Sequence, residues 1–201
     1  MSSQVIVAFI TGVLGPVSLL LIKYFLDKRK VKPDIVKDAL QVSELVNTKI
    51  DSIKEEIKAD RVWITQFHNG GNFYPTGKSM AKFTMMYETV NGGVTSIQNN
   101  FQNIPVNLFS KSINQLLEDD TIIIPDFKDE TIATYGLKYI ADESGCKSGY
   151  LFSIKTIDDK FVGILGVDYV KRKNKLTQEE INHISNHASS IGAYLIGNYN
   201  N

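Results

Sequence analysis

The feature that most constrains this chain is its first stretch. No side chain from Met1 to Ile22 carries a charge, and Val5 to Ile22 reads VIVAFITGVLGPVSLLLI. About 18–22 apolar residues suffice for a helix to cross the hydrocarbon core of a bilayer. Gly12, Gly15 and Pro16 would interrupt a helix in water. In lipid such residues are tolerated, because neighbouring groups satisfy the freed backbone. A collar of cations follows, Lys23, Lys28, Arg29, Lys30 and Lys32, against the one acid Asp27. A cleaved leader needs positive charge before the apolar run, and Met-Ser-Ser-Gln stands there instead. The pattern predicts a single-pass transmembrane anchor over residues 1–27 and a basic juxtamembrane segment over 28–33, with the lipid bilayer as partner. The excess of cations places the chain after Lys23 in the cytoplasm.

The formal net charge is zero, from 22 Lys and Arg against 22 Asp and Glu. With the cations of the collar set aside, the remainder is mildly acidic. Duplex binding draws on a surplus of cations to release counterions, so nucleic acid is not an expected partner. Cys146 is the only cysteine. It can form no disulfide within the chain and no zinc site of cysteine type.

Pro33 and Asp34 punctuate the chain. Ile35, Ala39, Val42, Val46, Ile50, Ile53 and Ile57 then recur in two 11-residue blocks. That period is close to the straight helix, so the apolar seam stays in register without a left-handed supercoil. The spacing predicts a long amphipathic helix over 34–59, read as a stalk that pairs two copies into a homodimer. The other reading is an amphipathic helix packed on its own domain, since any surface helix carries such a stripe.

From Asp60 the periodicity changes. RVWITQF, residues 61–67, is short and β-branched and reads as a strand. A Gly- and aromatic-rich loop is expected over 68–79 and a second strand over 81–90. Asn91-Gly92-Gly93 reads as a hairpin turn into a strand over 94–97. Helices are expected over 105–119 and 132–143, with Gly145 as a C-terminal cap. Strands are expected over 121–124, 150–155 and 161–169. Thr177-Gln178-Glu179-Glu180 is a capping box that opens a last helix. Gly163 and Gly166 lie in a strand and read as points of close packing under a helix. The order predicts an α+β domain, an antiparallel sheet with packed helices, over residues 60–201.

Several stretches carry a family resemblance: Ala59-Asp60-Arg61-Val62 before the first strand, Ile122-Ile123-Ile124-Pro125-Asp126 in the middle, GCKSGYLFSIKTIDDKFVGILGVDYV over 145–170, and Leu176 to Glu180. In this order they resemble the GAF domain, a small-ligand sensor module, over about residues 40–198. The resemblance implies a GAF-like sheet and either a small-molecule ligand or a ligand-free dimerising module. It names no ligand, so the cofactor is left unknown. The Cys-His pair that holds a linear tetrapyrrole in many photoreceptors of this kind is missing, because Lys147 follows Cys146. The single cysteine also speaks against the family's sulfoxide reductases, so no enzyme is expected.

His68 ends the first strand beside a flexible loop and is a candidate ligand contact. Phe73, Tyr74, Tyr87, Asp126, Tyr135 and Ser148 are candidates to line a pocket with it, against the alternative that they pack core or loops. Cys146 is a candidate redox thiol if Lys147 lowers its pKa, or else a small buried apolar residue. His183 and His187 have the i, i+4 spacing of metal ligands. No metalloprotease carboxylate motif accompanies them, and they read as part of a solvated face with no metal. The expected function is a membrane-anchored cytosolic binding or regulatory module whose output lies in a separate protein. The alternative is a ligand-free membrane scaffold. A reporter fused after Asn201 is expected to be active as a cytoplasmic protein, and salt is expected not to extract the chain from membranes. External activity would contradict the topology, and release by salt alone would contradict the anchor.

Overall fold

The computed structural model describes residues 2–4, 10–29, 34–129 and 135–197. It forms two compact units, residues 1–38 and 39–201.

In the first unit a short π-helical segment, Ile10–Leu14, runs into helix α1, Gly15–Arg29. Leu19, Leu20, Leu21 and Ile22 are each more than half exposed. Among the described residues no helix is long and apolar enough to cross a membrane. The 15 residues of α1 rise only about 22 Å, against a hydrocarbon core of about 30 Å. Lys23, Asp27, Lys28 and Arg29 also fall within it. Residues 5–9 of the expected span, and 30–33 of the basic segment, lie outside the described residues.

The second unit is built on one antiparallel sheet. Its strands are β1 (Arg61–Asn72), β2 (Ser79–Val90), β3 (Ile104–Pro105), β4 (Thr121–Ile124), β5 (Ser148–Lys155) and β6 (Phe161–Tyr169), in the order β3-β2-β1-β6-β5-β4. The helices are α2 (Ile35–Glu56), whose first turn belongs to the other unit, α3 (Ser110–Asp119), α4 (Tyr135–Ser144) and α5 (Gln178–Gly197). Alternation along the strands splits the apolar side chains between two faces. Val62, Ile64, Phe152, Leu165 and Val167 join one core with α2 and α5. Trp63, Leu151 and Ile164 join another with Phe101, α3 and α4.

The expected α+β, GAF-like sheet is found. The stalk needs correction. Val46, Ile50 and Ile53 are at most 1% exposed, packed with α5 against the sheet. A sheet apolar on both faces has to be covered on both, and α2 supplies half of one cover. The inner seam is therefore occupied within a single chain and cannot pair two.

Three further expectations change. Residues 68–72 belong to β1, since His68 and Asn69 pair with Lys82 and Ala81. Residues 94–97 form no strand. The Glu88 carboxylate captures that segment instead, accepting the amides of Ile97 at 2.9 Å and Gln98 at 3.2 Å and the Ser96 hydroxyl. At Gly163 and Gly166 the tightest approach is to the neighbouring strand β1. A Cβ at 163 would meet the Thr65 carbonyl of the adjacent strand, and one at 166 would enter the Trp63 indole. The start of the helix expected at 132 lies outside the described residues, and α4 is described from Tyr135.

The closing helix begins as its sequence predicts. The Glu180 amide donates to Thr177 Oγ1 at 3.2 Å, and the Thr177 amide donates to the Glu180 carboxylate at 2.7 Å. This is the reciprocal capping box. Ile50→Ala is expected to lower the urea unfolding free energy by about 2–5 kcal/mol, the cost of a large-to-small core substitution. Ile50→Asp is expected to unfold the domain. A stable, folded Ile50→Asp protein would restore the free-standing stalk.

Candidate functional site

The second face is polar at one end, where β1 begins and β2 and β6 finish. Arg61 is fully buried, its guanidinium inside the protein. Its Nε donates to Asp168 Oδ2 at 2.8 Å, and its Nη1 donates to the Thr95 carbonyl at 3.0 Å. Nη2 also lies 2.8 Å from Oδ2 as an ion pair, though not in a hydrogen-bonding direction. The Trp63 indole N–H donates to the same carboxylate oxygen at 3.0 Å. Glu88, with a side chain 3% exposed, stands 3.9 Å from Arg61 Nε. Register explains the meeting: Arg61 lies opposite Asp168 in the β1–β6 ladder and opposite Val90 in β2. This cluster locks Trp63 flat against Gly166 and makes the indole one wall of a cup.

The cup lies between the sheet and the helices α3 and α4. Trp63, Phe83, Met85, Phe101 and Phe109 line it. The remaining void is only about 20 Å³, the room of about one water. Thr65 sits at a β-bulge between β1 and β2. Its hydroxyl is buried on the cup with no hydrogen-bond partner among the described residues. A bulge beside a site is a common means of re-aiming a side chain. Outside the cup, an open cleft of about 160 Å³ is lined by Leu108, Gly136, Tyr139 and again Phe101 and Phe109. Phe101 and Phe109 thus form the partition between cleft and void. Gly136 lets α4 approach this partition, since a Cβ there would fall 2.5 Å from the Phe109 ring.

The residues singled out from the sequence do not gather here. His68 Nε2 lies 2.9 Å from Thr84 Oγ1. Phe73 and Tyr74 lie in the turn between β1 and β2, 50% and 98% exposed. The Tyr87 hydroxyl lies 3.4 Å from Ser43 Oγ of α2, and the ring packs on the α2–α5 core. Asp126 pairs with Lys173 and accepts the Lys128 amide at 3.0 Å. Both interactions hold its carboxyl below the usual range. Ser148 is buried and accepts the Asn174 amide at 3.1 Å, fixing the segment after β6. Tyr135 begins α4, and its side chain lies outside the described residues. Only Cys146 and Ser148 meet, with the Cys146 thiol donating to the Ser148 carbonyl at 3.2 Å.

Cys146 is buried, and burial together with the Asp168 charge pushes its pKa far up. Lys147 does not counter this, because its amine donates to the Lys171 carbonyl at 2.7 Å. The thiol is a packing group. Sequence reasoning missed Arg61, Glu88, Asp168 and Thr65. The signals were polar residues at inward positions of strands: Arg61 and Thr65 alternate with Val62 and Ile64.

The sequence matches no protein-family model and no curated protein. Solved structures do match. A far-red cyanobacteriochrome photoreceptor aligns at TM-score 0.62 and 14% identity, covering 89% of this chain and 96% of that one. The Thermosynechococcus elongatus PixJ GAF domain in its blue-light absorbing form aligns at 0.62 and 17%, covering 79% and 86%. A phycocyanobilin-bound GAF domain of a cyanobacterial phytochrome aligns at 0.61 and 15%, covering 80% and 87%. The chain has the GAF fold. At these identities the likeness concerns the fold alone, and the cup of this GAF fold is read from its own residues.

Removing one partner of a buried ion pair leaves the other uncompensated, at a cost of about 3–5 kcal/mol. Asp168→Asn is expected to lose about that much in urea unfolding and to change the emission of Trp63. Replacing both members, as Arg61→Met with Asp168→Leu, is expected to recover only part of the stability, since the Trp63 N–H loses its acceptor and the buried Glu88 carboxylate its neighbouring cation. A neutral Asp168→Asn would contradict the role given to the cluster.

Proposed function

We propose that this chain is a membrane-tethered, non-catalytic regulatory module of the GAF fold that takes a small, largely apolar molecule into its cup. The observation that carries this reading is the shared wall of Phe101 and Phe109 between inner void and outer cleft. Ligand pockets are mostly apolar with a few placed polar groups. The cup has that make-up, and the unpartnered Thr65 hydroxyl is its polar group. Rotation of Phe109 joins void and cleft into a space near the ~150 Å³ of a cavity that takes benzene. That is too small for a linear tetrapyrrole or a nucleotide. The ligand class is a single ring or a short branched apolar molecule.

The tether is supported by the uncharged N-terminal run, the exposed leucines of α1 and the cationic collar, and a cytoplasmic domain follows from the same charge pattern. With its inner seam buried, α2 leaves Leu40 and Leu45 among its exposed apolar residues, which with Tyr194 of α5 would pair two copies. The second reading is a ligand-free scaffold, and the size of the inner void favours it.

The chain has one tryptophan, and it forms a wall of the cup. Titration with single-ring aromatics is expected to give a saturable change in Trp63 emission. Mass spectrometry of the purified chain is expected to find a small released molecule. Phe109→Ala, which removes the partition, is expected to tighten binding of a benzene-sized probe at least tenfold. No released molecule, with no saturable signal from either protein, would leave the scaffold reading.

A further inference from the structure

The last turn of α2 and the first half of α5 bring three metal-ligating groups to one point. His183 and His187 stand one turn apart on α5, with their Nε2 atoms 2.9 Å apart. Glu56, the last residue of α2, places Oε2 3.0 Å from His183 Nε2 and 4.0 Å from His187 Nε2. Ligands held about 2.0–2.1 Å from a tetrahedral zinc ion lie roughly 3.3–3.4 Å from one another. The three separations bracket that value. The two imidazole rings are nearly perpendicular, at 89°, so their nitrogens converge on the carboxylate and the rings do not stack.

Hydrogen bonding alone leaves this arrangement incomplete. A neutral imidazole has one N–H, and His183 Nε2 faces both the Glu56 carboxylate and the other imidazole nitrogen. One hydrogen cannot serve both directions. A cation at the centre accepts a lone pair from each of the three groups. The carboxylate is already oriented, since the Ser52 hydroxyl donates to Oε1 at 2.7 Å and leaves Oε2 toward the rings. Such supporting hydrogen bonds are a regular part of metal sites.

We propose that Glu56, His183 and His187 bind one divalent transition-metal ion of the zinc class, with the remaining position open to water or to a donor from outside. Imidazole with carboxylate favours zinc, copper and nickel over magnesium and calcium. Glu56 and His183 are about half exposed, so the ion reaches the site without opening the fold. The ion ties the end of α2 to α5. Since α2 is the covalent route from the N-terminal segment into the domain, metal occupancy sets how firmly that route is held. The site lies on the α2–α5 side of the sheet and stands or falls independently of the cup.

The test uses the full chain without an affinity tag, stripped with chelator and dialysed against zinc or cobalt. The chain has three histidines, and its one cysteine is buried, so few other donors compete. One zinc ion per chain is expected, and cobalt is expected to show the visible bands of a four-coordinate ion. Free zinc at a hundred times its Kd is expected to raise the folded-to-unfolded ratio about a hundredfold. His183→Ala and Glu56→Gln are each expected to weaken zinc binding at least tenfold with the metal-free circular dichroism unchanged, and His68→Ala to leave binding intact. No retained zinc at free ion well above micromolar, or equal affinity in both variants, would overturn the proposal.

Discussion

The buried guanidinium of Arg61 sets the terms for one face of this fold. A charge taken out of water is tolerated only when paired and hydrogen-bonded. Here Asp168 supplies the counter-charge, Glu88 stands behind it, and the Thr95 carbonyl takes a further N–H. Those partners come from β6, β2 and the segment after β2. One side chain thus ties the two middle strands, the neighbouring strand and the connection beyond it. Its contribution is specificity of register more than net stability: a slip of one residue between β1 and β6 would bring Arg61 to the opposite face and strand both charges.

The same strand serves both layers. Val62 and Ile64 point into the core shared with α2 and α5, while Trp63 and Thr65 between them point into the cup. The helix that leads out of the N-terminal segment and the wall of the cup are therefore neighbours across a single sheet. Trp63 of the cup is thus adjacent in sequence to Val62 and Ile64, which share a core with Val46, Ile50 and Ile53. α2 is buried along its inner seam. Its outer face remains exposed at Val36, Leu40 and Leu45, so the helix is both core and connector.

Much of this was legible in the sequence. Period-2 alternation located β5 and β6, the Thr177–Glu180 box located the start of α5, and Gly145, at φ +65°, ends α4 as its position foretold. What could not be read was long-range pairing. The stripe of α2 has one spacing whether its partner is a second copy or its own sheet, so periodicity alone cannot choose between them. Arg61 and Asp168 are 107 residues apart in the chain, and nothing local marks either as buried. His68 and Asp126 stand out by their chemistry beside loops, whereas the cup is lined by Phe101, Phe109 and Met85, whose types are those of any core. Likewise His183 and His187 carry the ligand spacing, but the carboxylate that completes the trio comes from another helix, 127 residues away.

The central claim is that a small apolar molecule enters the cup past Phe109 and rests against Trp63. The most direct measurement is the ¹⁹F resonance of 5-fluorotryptophan incorporated at the single tryptophan, followed as a single-ring ligand is added. A discrete, saturable shift is expected, lost when Phe109→Trp fills the cleft and retained when exposed Tyr74 is replaced by Ala. A resonance that does not move at saturating ligand, or that moves equally in the Phe109→Trp protein, would contradict it.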